Sequence, residues 1–201
     1  MDTYSTFLQP HSFVEGEDSC CTAHWLKPQR LGQCLLVKTL DQQHETITEL
    51  LTQWVLHGPV YLIAAGEWLP SHDELRYSIY KHTVAFHEAL DRLILSRPFT
   101  CLQLLDLLME ADQQNHPVVI LDFLHLFYNP DVDLALRHST LEQCCQYAKR
   151  LSFSNPVAVL VPDLAVEEYR RFFPLLASIA DEIIEQKRPS RTEEFQQGVL
   201  F

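Results

Sequence analysis

The chain has 201 residues, with 27 acidic against 15 basic side chains and a formal charge of −12. A negative field of that size repels phosphate backbones, and the basic residues form no group denser than Arg170-Arg171 and Lys187-Arg188-Arg191, so direct nucleic-acid binding is expected to be weak at best. Hydrophobic residues make up 47%, which excludes a disordered chain; no apolar run approaches the roughly 20 residues of a bilayer span. The start, MDTYSTFLQPHSF, lacks the basic and apolar regions of a secretory signal. A soluble, cytoplasmic protein is expected.

Residues 1–31, interrupted by Pro10, Gly16 and Pro28, read as an irregular lead-in, and residues 32–201 as one α/β core. Within the lead-in, Cys20, Cys21 and His24, with Cys34 beyond it, are nominal zinc ligands, but they lack the paired CxxC spacing of such sites. Reduced thiols are the simpler expectation for all six cysteines of an intracellular chain. No cofactor is expected.

After Gly32, CLLVK suits a buried strand. DQQHETITELLTQWVL then places Ile47, Leu50, Leu51, Trp54 and Val55 on one helical face, with Asp41 as a candidate cap. VYLIAA is the second strand. SHDELRYSIYKHTVAFHEAL reads as one long helix opening on a Ser71–Glu74 capping box and continuing through Leu75, Ile79, Val84 and Leu90. RLILSR, PVVILDFL and PVAVLVP are further strands. Between and after them, the stretches from Thr100, from Leu134 and from Val166, the last containing Pro174, read as helices. DEIIEQK and EEFQQGVLF, separated by RPSRT, suggest a terminal antiparallel pair. Strands that are apolar throughout and alternate with helices imply a mostly parallel sheet covered on both faces.

Three stretches in this order, YLIAAGEWLPSHDELRYSI, LILSRPFTCLQLLDLL and VVILDFLHLFY, resemble the core of the RecA-type ATPases, in particular the archaeal and eukaryotic recombinases and their paralogues. The resemblance covers about residues 32–201. It implies a RecA-like P-loop NTPase fold in which Asp122 stands at the Walker B acid and Glu67 near the water-activating glutamate. The phosphate loop, GxxxxGK[ST], falls on Thr39 to Thr46, TLDQQHET. Both glycines are missing, His44 holds the second glycine position, Glu45 replaces the lysine, and only Thr46 matches. Carboxylates where a triphosphate belongs reverse the local electrostatics, and side chains at the glycine positions obstruct the loop. Lys38 precedes the loop and cannot replace its lysine. Pro162-Asp163 also stands where the family commonly carries a polar Asn-Gln sensor.

The resemblance therefore implies a pseudo-ATPase, with Thr46, Glu67 and Asp122 the remains of a nucleotide site. Such a chain is expected to act as a structural or regulatory subunit beside a recombinase, a paralogue or another copy of itself, in DNA recombination or repair. In that family an apolar anchor ahead of the core inserts into the neighbouring subunit, a part that Phe7 or Phe13 could take. Two other classes compete: a hydrolase whose Glu67, Asp122 and Asp163 bind a divalent ion at the strand carboxyl ends, and a weak DNA-binding accessory. The first lacks a nucleophile and a phosphate anchor. On the residues alone, Asp122 reads as a hydrogen-bonded remnant, Glu67 as a solvated turn residue, Thr46 as a helix first-turn hydroxyl and His125 as a packed side chain.

Overall fold

The computed structural model describes residues 32–39, 44–67, 69–162 and 167–185. The lead-in with Phe7 and Phe13, the cap candidate Asp41, and Asp163 lie outside the described residues. In chain order the elements are β1 (Cys34–Thr39), α1 (His44–His57), β2 (Val60–Ala64), α2 (His72–Tyr80), α3 (Phe86–Asp91), β3 (Leu93–Ser96) and α4 (Cys101–Ala111). They continue with β4 (Val118–Leu121), a 3-10 turn (His125–Phe127), α5 (Leu134–Ser154), β5 (Val157–Pro162), α6 (Glu167–Ala177) and β6 (Glu182–Glu185). The strands form one sheet in the order β3-β2-β4-β5-β1-β6, and every described pairing is parallel.

Alternate residues of each strand face opposite ways, so a strand buried on both faces must be apolar at every position. One face, with Leu36, Tyr61, Ile120 and Val159, packs on Leu104 and Leu108 of α4, Cys144 and Ala148 of α5 and Phe172 of α6. The other, with Leu35, Val37, Leu62, Val119 and Leu160, packs on Ile47, Leu50 and Trp54 of α1, Leu75 and Ile79 of α2 and Ala89 of α3. The two coats separate cleanly by chain segment.

One expectation is corrected. The segment from Ser71 to Leu90 is not one helix but two. Its capping box is present, with the Glu74 N–H donating to Ser71 Oγ at 3.2 Å and the Ser71 N–H to the Glu74 carboxylate at 2.8 Å. After Tyr80, however, the His82 and Thr83 N–H groups both close on the Ile79 carbonyl, and Thr83 Oγ1 accepts the Ala85 N–H. This local competition by a β-branched hydroxyl residue ends the helix, and Val84, expected on its apolar face, is 93% exposed. At the end of the second of the two helices, Arg92 Nη1 donates to the Val55 and Leu56 carbonyls, which lie in the last turn of α1, where carbonyls lack intrahelical partners.

At the C-terminus the sheet gains one more parallel strand. β6 lies parallel to β1, with Leu35 opposite Glu182 and Lys38 opposite Glu185; its proposed antiparallel partner, EEFQQGVLF, lies outside the described residues. A chain that leaves β5 and returns through α6 enters the sheet again from the same end, which makes β6 parallel.

The start of β6 is fastened by a reciprocal contact. The Cys34 N–H donates to Asp181 Oδ2 at 2.8 Å, the Asp181 N–H donates to the Cys34 carbonyl at 2.9 Å, and Lys149 Nζ reaches both carboxylate oxygens at 2.6 and 2.7 Å. The Lys149 ammonium, and after it the Cys34 N–H, hold the Asp181 carboxyl below the usual carboxylate range. The stability this lends is present above the ordinary carboxylate pKa and is lost as pH falls through the lowered one. Asp181→Ala is expected to cost about 1 to 3 kcal/mol, the penalty of stranding a strand N–H, and to flatten the acid limb of a thermal-denaturation series against pH. An unchanged acid limb would contradict this role.

Among the described residues the free cysteines are Cys34, Cys101, Cys144 and Cys145, all buried on the α4–α5 face. Burial pushes the Cys34 and Cys145 thiols up to about 12 and raises Cys144 as well. Cys34 sits inside β1 and acts as core.

Candidate functional site at the carboxyl edge of the sheet

In open α/β sheets the crevices outside the strand carboxyl ends are where ligands gather, and the sequence places its acids there. Ala64 pairs with Leu121 and Leu121 with Leu160, so β2 and β4 leave the sheet side by side. The Ala65 N–H donates to the Leu121 carbonyl at 3.0 Å and the Asp122 N–H to the Leu160 carbonyl at 2.8 Å, extending the ladder one step past each strand. Asp122 then turns with φ at +53°, a left-handed conformation that aspartate tolerates better than most side chains. The turn delivers Phe123, Leu124 and Phe127 into the core, all fully buried. The His125 N–H closes it on the Asp122 carbonyl at 3.0 Å.

The Asp122 residue is 7% exposed, and its carboxylate lies directly against Gly66. A Cβ on Gly66 would overlap Asp122 Oδ2, so no other residue type fits there without movement. Oδ2 is 3.5 Å from His125 Nδ1, and Oδ1 is buried with no hydrogen-bond partner. Burial therefore raises the carboxyl pKa, and the His125 imidazole offsets part of the effect. Arg97 Nη2 donates to the Gly66 carbonyl at 3.3 Å, tying the turn after β3 to the turn after β2.

The remaining residues of the expected nucleotide site are placed as follows. Thr39, at the position of the first loop glycine, is the last residue of β1; it is fully buried and donates through Oγ1 to the Val161 carbonyl at 3.2 Å. His44 opens α1, Glu45 lies exposed in its first turn, and Thr46 follows, half-buried. Lys38 points to the opposite face, its ammonium 3.7 Å from Glu185 and 5.7 Å from the centroid of Phe173. Glu67 is exposed beyond Gly66.

The structure thus brings Gly66, Asp122, His125 and Arg97 together, of which only Asp122 stands out in the sequence. His125 is corrected: it is half exposed and faces the Asp122 carboxylate, because the 3-10 turn buries Phe127 instead. The available signal for Gly66 is its rarity, one of 5 glycines, placed directly after an apolar strand. Among the described residues no group of three or more His, Cys, Asp or Glu is placed to hold a metal ion. No helix among them is long and apolar enough to cross a membrane.

No protein-family model matches the chain, and a search of curated proteins returns no match.

The Gly66–Asp122 contact makes two predictions. Gly66→Ala is expected to destabilise by about 1 to 3 kcal/mol through overpacking, and Asp122→Gly in the same chain to recover most of that loss, as a double-mutant cycle in urea would show; additive losses would mean the two sites do not touch. A carboxyl whose pKa is raised on folding contributes stability below its ordinary pKa that is lost as pH rises through the raised one. Asp122→Asn, which accepts the left-handed backbone, should therefore melt higher than the native protein at neutral pH, with the difference shrinking as pH is lowered into the carboxylate range. A lower melting temperature at neutral pH would refute the desolvation account.

Proposed function

We propose that the chain is a RecA-like protein of the recombinase-paralogue type that has no ATPase activity and serves as a structural or regulatory subunit beside an ATP-using partner, in DNA recombination or repair. The observation that carries this reading is the β1–α1 junction. A phosphate cradle needs glycines before the helix and a lysine in its first turn; this chain has the buried, hydrogen-bonded Thr39 in the strand and the exposed Glu45 in the first turn. The positive end of α1 is already answered by a carboxylate, and the nearest lysine, Lys38, is committed to Glu185 on the other face.

Asp122 supports the same reading. A magnesium-positioning acid needs oxygens open to water and metal, whereas this carboxylate is packed on Gly66 and raised in pKa by burial. Its use is architectural: it ends β4 and steers Phe123 and Phe127 inward. Under this proposal Thr46 and Glu67 have lost their roles, and Phe7 or Phe13 anchors the lead-in on a neighbouring subunit.

Two measurements test the reading. Saturating ATP with magnesium should leave the melting temperature unchanged, whereas binding at a hundredfold excess over Kd would stabilise the fold by about 2.7 kcal/mol; a clear shift would overturn the inactive-site claim. Affinity capture of the tagged protein from its native source, followed by mass spectrometry, should recover an ATPase of recombination or repair. Recovery of unrelated partners alone would overturn the subunit role.

A further inference from the structure

No further inference is drawn: the strongest candidate, the cleft of about 400 Å³ between the turn into α4 and the 3-10 element, lined by Phe99, Cys101, His125, Leu126, Tyr128 and Val132 among others, carries nothing because no feature of the structure shows what covers it.

Discussion

A parallel sheet buried on both faces imposes one constraint from which most of this structure follows. Because each strand must be reached again from the same end, every connection crosses a face of the sheet, and covering both faces requires connections of both directions. In this chain, segments moving from β1 outward through β2 to β3 lay α1, α2 and α3 on one face. Those returning through β4 and β5 to β6 lay α4, α5 and α6 on the other. All strand carboxyl ends then meet at one edge, and the β2–β4 boundary, where following helices part to opposite faces, is where Gly66 and Asp122 come into contact. The position of the acid is thus a result of topology before it is a matter of chemistry.

At that edge, electrostatics sets the terms on which the acid is held. A buried carboxylate is tolerated when it is paired or coordinated. Asp122 is neither fully paired nor open: Oδ2 faces His125 and lies against Gly66, and Oδ1 is buried with no hydrogen-bond partner. The cost is met by the hydrophobic gain of Phe123, Leu124 and Phe127, which the left-handed turn at Asp122 directs into the core. Burying a side chain of that size is worth about 1.5 to 3 kcal/mol each, more than enough to retain a carboxyl that protonates more readily than its exposed counterparts.

Much of the architecture was legible in the residues. Uninterrupted apolar runs such as VVIL and VAVLV announce strands covered on two sides, and the Ser71–Glu74 spacing marks a helix start that the hydrogen bonds confirm. What was not legible depended on competition at short range. The helix break after Tyr80 turns on one threonine hydroxyl and one arginine reaching another helix's carbonyls, neither visible in periodicity. The direction of β6 is set by its crossover rather than by its own residues, since EIIE reads alike in either sense. At the site, Asp122 could be found because an acid interrupts an apolar run, while Gly66 and Arg97 act only through partners some thirty to sixty residues away, which no local pattern encodes.

The buried thiols carry a consequence of their own. Cys34 of β1 and Cys144 and Cys145 of α5 are buried in the core between the sheet and the helices of that face, with their protons held tightly by burial, so at neutral pH almost none is present as the thiolate that reacts with an alkylating reagent. Their labelling in the folded chain must wait for the helices to lift from the sheet. The rate of that labelling is therefore a clock for local opening, built into the face that carries α4 and the cleft at its end, and readable without any added reporter.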